Sequence, residues 1–357
     1  MIDFLYQYGM FLAQVVTLVV AILVVIGGIV SAAARNRHRT SRDGELRVKH
    51  LNEEFDDLRE SIVDQVLPEA ERKAEHKKKR KEEKARNKQR KKAGAEAKSK
   101  PRMFVLDFNG DIQASDVARL RREITAVLEV ATGDDEVLLR LESPGGLVHS
   151  YGLAASQLKR LRGRGVKLTV AVDQVAASGG YMMACIADRI LAAPFAVIGS
   201  IGVVAQVPNF HRLLKKNDID VELMTAGEYK RTLTMLGENT DKGREKFQQE
   251  LEETHQLFKG FVREHRRTLD MDAVATGEHW FGTRAKELGL VDDIMTSDEY
   301  LQGRKEHLDL YELNWEYKRK LAERLGVSVE NAGVRLIDRF WHRGLSLIHI
   351  SEPTRPY

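Results

Sequence analysis

The chain has 357 residues and a formal net charge of +4, but the charge is unevenly spread. Residues 71–102 hold 16 Lys and Arg against 5 Glu, a surplus of +11, so the remaining residues together carry −7. With 43% hydrophobic residues there is enough apolar surface for a folded domain, which excludes global disorder, and the single Cys185 excludes a disulfide framework and a cysteine-based zinc cluster.

Residues 4–34 contain no charged side chain, and the run exceeds the ~20 residues that cross a hydrocarbon core, so it reads as a transmembrane helix. A cleavable leader is the competing reading; the length of the run and the lack of a basic segment before it count against that. Arg35, Arg37, Arg39 and Arg42 follow the run and only Asp3 precedes it, so the charge bias turns the large C-terminal part towards the cytoplasm. Over residues 45–70, Val48, Leu51, Phe55, Leu58, Ile62 and Val66 recur at steps of three or four and predict an amphipathic helix. Its stripe suits either a self-association seam or packing on the chain's own domain. Residues 71–102 read as a basic linker, because up to Lys100 no aliphatic side chain is larger than alanine. The linker either contacts anionic lipid headgroups or is a solvated spacer, and without interleaved aromatics to stack on bases it is not read as binding nucleic acid.

From residue 103 the texture changes to alternating strand and helix signals. Strands are expected at 103–108, 136–142, 167–173 and 221–225, and helices at 115–130, 147–161 and 241–265, with a short helical patch at 283–288. Strands joined by helices of this length imply right-handed crossovers and a mostly parallel sheet, an α/β domain over residues 103–297. Residues 298–344 are expected to be a peripheral helical extension. The tail 345–357, LSLIHISEPTRPY, is similar to the translation of a transposase-type sequencing adapter and reads as an artefact, the native sequence being expected to be lost from near Gly344.

Two strand ends share one design, a strand running into a glycine pair at the start of a helix: ESPGG at 142–146 and AASGG at 176–180. Glycines let a backbone approach closely, and unpaired N–H groups at such a turn can donate to a developing oxyanion. Ser178 sits where a nucleophile would, although an isolated S-G-G is more often an N-cap and turn. Neither His149 nor His211 comes with an evident acidic partner for a Ser-His-Asp triad, and no metal-ligand pattern is present, so a lysine becomes the candidate base and neither metal nor cofactor is expected. Ser156 and Lys159 match S-x-x-K, but in mid-helix and without companion motifs they are discarded.

ESPGG at 142–146, ASGGYMMACIAD at 177–188, IGSIGVV at 198–204 and GEYKR at 227–231, in this order, resemble the signature of the signal peptide peptidase A family of serine peptidases, in its short bacterial inner-membrane form. The resemblance runs from residue 1 to about residue 344. It implies a fold of the ClpP/crotonase type and a Ser-Lys dyad of Ser178 as nucleophile and Lys230 as general base. It further implies that Ser200 orients the lysine amine and that the Gly146 and Gly179 N–H groups form the oxyanion hole. Homo-oligomers are implied too, with serine and lysine meeting within one chain or across two. Relatives in this family place the catalytic domain outside the cytoplasm, in conflict with the charge bias; the charges are followed here, with a periplasmic domain as the alternative.

A lysine accepts a proton only when neutral, a state favoured by burial among uncharged groups and opposed by a nearby carboxylate. Glu228 is therefore expected to point away from the Lys230 amine. Tyr181 and Met182 either line the substrate groove or fill the core. The function expected is a membrane-anchored serine endopeptidase acting on extended apolar peptides, such as signal-peptide remnants or damaged membrane proteins. The competing readings are a crotonase-fold acyl-CoA enzyme, which would need carboxylates near the glycine loops, and a non-catalytic membrane scaffold.

Overall fold

Strand alternation decides which face of the sheet each side chain meets. In the computed structural model the described residues are 44–93 and 100–317; the expected span at 4–34 and the tail at 345–357 lie outside them. Among the described residues no helix is long and apolar enough to cross a membrane. Residues 46–315 form one compact unit, and the described residues 44–45 and 316–317 fall in another.

The strands are β1 (Gly44–His50), β2 (Arg102–Asn109), β3 (Glu136–Glu142), β4 (Lys167–Val172), β5 (Val175–Ala177), β6 (Arg189–Ala192), β7 (Val197–Gly199), β8 (His279–Phe281), β9 (Asp293–Ile294) and β10 (Asp309–Tyr317). The helices are α1 (Leu51–Val66), α2 (Glu69–Ala93), α3 (Val117–Val130), α4 (Val148–Gly163), α5 (Gly179–Ala184), α6 (His211–Lys216), α7 (Asp241–His265), α8 (Met271–Val274), α9 (Gly282–Glu287) and α10 (Ser297–Arg304). One seven-stranded sheet has the order β1-β10-β2-β3-β4-β6-β9, parallel from β10 to β9. A second, small sheet has the order β5-β7-β8, with β5 and β7 parallel.

In β2, Phe104, Leu106 and Phe108 enter the larger core with Leu120, Ile124 and Val127 of α3 and Leu158 and Leu161 of α4. Met103 and Val105 point the other way, into a smaller core with Leu138, Ala171, Tyr300 and Leu301. Helices thus cover both faces, which is why these strands read as nearly continuous apolar runs. The start of β2 is tied down by Asp135, which accepts from the Arg102 backbone N–H (2.8 Å), its guanidinium and Thr132. Burial pushes the Asp135 carboxyl up, but these donors outweigh it and hold the group at about 2.

The expected elements are modified in four places. Residues 44–50 are a strand rather than the first turns of a helix, and the α1 stripe divides: Leu51 is buried and Phe55 packs on the smaller core, while Leu58, Ile62 and Val66 are exposed. The basic stretch is helical through Ala93, held to acidic α1 by Lys79–Glu60 (2.9 Å), His76–Asp64 (2.8 Å) and an Arg59–Glu75 pair. Of the expected helical extension, the described residues 298–317 are helical only as far as Arg304, in α10, and then form β10, an interior strand between β1 and β2, because Leu310 and Leu313 supply buried positions; residues 318–344 lie outside the described residues. Residues 221–225 form no strand; Val221, Leu223 and Met224 are exposed there, without a sheet edge to pair with.

Candidate active site

Ser178 stands at the turn from β5 into α5 with φ +52° and ψ −117°. That conformation ordinarily belongs to glycine, and a residue holding it costs about 1–3 kcal/mol, which surrounding structure must offset. The turn is held from both sides: the Ser178 N–H donates to the Gly199 carbonyl (2.8 Å) and its carbonyl accepts from Met182 (3.0 Å). The hydroxyl makes no capping bond to α5, and Ser178 is half-buried.

The ESPGG turn lies directly against this serine. Ser143 pairs with Ala176 of β5 through its N–H to Val175 (2.8 Å) and its carbonyl from Ala177 (3.0 Å). Gly145 has φ +92°, and a Cβ there would lie 2.7 Å from both the Ala177 carbonyl and the Ser178 Cβ, so only glycine fits. Gly179 is equally constrained: a Cβ would meet the Tyr151 ring at 2.4 Å. Among the described residues the N–H groups of Gly146 and Gly179 donate to no acceptor.

Ser200 follows β7 as Ser178 follows β5. Because Ala177 pairs with Gly199 in the parallel register, the two serines stand at matching ends of strands about 4.8 Å apart. Ser200 also has positive φ, +54°, and its N–H donates to the Glu278 carbonyl at 2.6 Å. Tyr181 and Met182 lie inside the larger core rather than along an open groove, and the Tyr181 hydroxyl donates to the Leu290 carbonyl at 2.9 Å.

Lys230 lies elsewhere in character. Every residue from Val204 to Phe210 and from Val221 to Arg231 is exposed, and Lys230 sits in a turn where its N–H donates to the Gly227 carbonyl (3.2 Å). Among the described residues no hydrogen bond joins the Lys230 side chain to Ser178 or Ser200. The Glu228 carboxylate is engaged in an ion pair with Lys242. The discarded Lys159 pairs with Glu264 at 3.1 Å, and Ser156 bonds back to the Gly152 carbonyl. No group of His, Cys, Asp or Glu suited to a metal occurs among the described residues.

Residues 3–158 match the N-terminal region of peptidase family S49, and residues 160–311 match peptidase family S49 itself. The chain belongs to peptidase family S49. It is a serine-type peptidase, and the acyl-CoA and scaffold readings fall with that membership. Within S49 the chain is 54% identical to the "Probable protease SohB" of Haemophilus influenzae, covering 95% of this chain and 96% of that one. It is 48% identical to the protein of the same name from Buchnera aphidicola subsp. Schlechtendalia chinensis, over 85% of this chain and all of the relative. Among solved structures, a mutant of the 1510-N membrane-bound stomatin-specific protease with a substrate peptide matches at 12% identity and a TM-score of 0.40, covering 65% of this chain and 99% of that one.

What sequence reading missed around Ser178 is Tyr151, whose ring lies against Gly179 and whose hydroxyl lies 2.6 Å from Ser143 Oγ. Its cue was available: a large aromatic eight residues after Ser143, on the first turn of the helix that the ESPGG motif opens.

Proposed function

We propose that this peptidase is a membrane-anchored endopeptidase that works through a Ser178–Lys230 dyad and an acyl-enzyme. Ser178 Oγ attacks the peptide carbonyl while the neutral Lys230 amine takes its proton; the C–N bond then breaks, and the proton passes to the leaving amine. Water, deprotonated by the same lysine, releases the acyl group. The Gly146 and Gly179 N–H groups stabilise the oxyanion, and Ser200 orients the lysine. The observation that carries this reading is Ser178 itself: a glycine-like backbone held in place, a hydroxyl free of capping, and two undonated N–H groups in the adjoining turns.

The exposure of Lys230 supports a dyad shared between copies, in which residues 204–231 of one protomer form an arm that brings its lysine to the serine of the next within a homo-oligomer. Exposed Val204, Leu223 and Met224 on the same arm are apolar surface that such docking would cover. The body takes the ClpP/crotonase arrangement, and substrates are extended apolar peptides such as signal-peptide remnants or damaged membrane proteins. Residues 4–34 anchor the chain in a bacterial inner membrane, with the catalytic body cytoplasmic and α2 facing anionic headgroups.

The test is cleavage of an unstructured Ala- and Leu-rich peptide by the full chain in detergent, read by mass spectrometry beside Ser178→Ala and Lys230→Ala. Wild type cuts and both variants are silent while still folded and assembled; cleavage by Ser178→Ala at the wild-type rate removes the assignment. A reporter fused after Arg42 that is active only when exported would reverse the topology.

A further inference from the structure

A buried hydrogen-bond chain runs beneath the ESPGG turn. The Gly145 N–H donates to Ser143 Oγ (3.1 Å), Ser143 Oγ lies 2.6 Å from the Tyr151 hydroxyl, and that hydroxyl donates to the Asp111 carbonyl (2.8 Å). A tyrosine has one hydroxyl proton, and Asp111 takes it, so Ser143 must be the donor in the middle link. Every proton in the chain then has one assignment, and each member is satisfied. Ser143 and Tyr151 are both fully buried.

The same tyrosine reaches the second turn with its ring. Phe108 meets the ring edge-on at a centroid separation of 6.4 Å, and the ring lies against Gly179, the residue after the nucleophile. The backbone of 110–112 completes the frame: the Gly110 N–H donates to the Glu142 carbonyl (2.8 Å) and the Leu147 N–H to the Ile112 carbonyl (2.9 Å). A fully buried phenol is no chemical participant, but it fixes the two backbone segments whose N–H groups must point at one oxygen.

We propose that Tyr151 is a positioning residue that sets the spacing of the two glycine N–H donors, through Ser143 on one side and its ring face on the other. This rests on the reading of Ser178 and those donors as the catalytic centre. Removing only the hydroxyl keeps the ring against Gly179 and frees Ser143 Oγ to turn, so the Gly145–Gly146 turn loses its register. An oxyanion donor displaced by an ångström weakens the transition state far more than the substrate complex.

The experiment compares wild type, Tyr151→Phe, Ser143→Ala, the double variant and Ser178→Ala, all as full chains in detergent, on the Ala- and Leu-rich peptide. Tyr151→Phe is expected to lower kcat by about tenfold to a hundredfold with KM within about twofold. Its affinity for a peptide aldehyde, whose hemiacetal oxygen occupies the oxyanion position, should fall by the same factor. The double variant should be no slower than the worse single, because both act through one chain. If Tyr151→Phe melts below the assay temperature, Ser143→Ala, which breaks the next link, carries the same expectation. With Ser178→Ala silent, a Tyr151→Phe or Ser143→Ala kcat within twofold of wild type, or an unchanged aldehyde affinity, overturns the inference alone. Wild-type turnover by Ser178→Ala overturns the catalytic reading and this inference with it.

Discussion

The surroundings of Ser178 and the arm that carries Lys230 are built on opposite principles. Around the serine, glycines stand where a single added carbon would collide with Tyr151, Ala177 or Ser178, and strands β3, β5 and β7 fix the backbone. Along the arm, Val204 is 91% and Met224 86% exposed, and the chain is held by a turn at Lys230 and by bonds from Asn209 and Phe210 to residues 234–237. The difference teaches that the backbone around Ser178 is fixed within one chain, whereas the arm presents exposed apolar surface, which the proposed dyad would cover by docking on a neighbour.

The sharpest way to break this contrast is to add one carbon on the serine side. Gly179→Ala places a Cβ 2.4 Å from the Tyr151 ring, which should lower kcat/KM by about a hundredfold or more and cost roughly 1–3 kcal/mol of stability. Peptide cleavage and thermal melting read both. An alanine variant with wild-type turnover would show that the turn is not tightly set.

The pH dependence of stability should belong to the body. Burial pushes the Glu123 carboxyl on α3 up to about 7, against the Trp315 N–H (2.8 Å) and Arg119, which lower it. Its folded-state value stands above the unfolded one near 4.5, so the native state holds the proton more tightly. The stability gained is complete below pH 4.5 and is lost as pH rises through 7, on the order of 3 kcal/mol. Glu123→Gln keeps an acceptor for Trp315 without the charge. It should melt higher than wild type at pH 8 and match it more closely near pH 5; a variant no more stable at pH 8 would contradict the assignment.

On the arm, Met224→Ser should leave the melting temperature within about a degree, since an exposed side chain supports little of the body. It should nevertheless reduce peptide cleavage by about tenfold and shift the assembly to smaller mass in light scattering, if the arm docks on a neighbour. Unchanged mass and activity would place the docking surface elsewhere. The smallest effect is expected from Glu228→Gln: its pair with Lys242 is fully exposed, and cleavage should change less than twofold.

Much of the body was legible because its signals are local. The runs at 136–142 and 241–265 became β3 and α7 at those very limits, and the two glycine-pair turns read from the sequence lie directly against each other in the fold. The failures came from partners that a linear reading does not supply. Val221 to Thr225 alternates like a strand but meets no free edge, whereas Asp309–Tyr317 looks charged and peripheral but finds β2 on one side. Tyr181 and Met182 follow Ser178 closely in sequence, yet the first turn of α5 carries them inward, the core-filling alternative of the two expected for them. Tyr151 was hidden because its role depends on backbone at 111 and 179 that only the fold brings near.

The claim that serine and lysine meet across protomers is tested most directly by mixing. Ser178→Ala and Lys230→Ala, each silent alone, would be dissociated, combined in equal amounts and reassembled, and peptide cleavage measured. A shared site predicts recovery towards about a quarter of the wild-type rate, since roughly one interface in four then joins an intact serine to an intact lysine. No recovery, with mixed assemblies verified by mass, would place both residues of the dyad in a single chain.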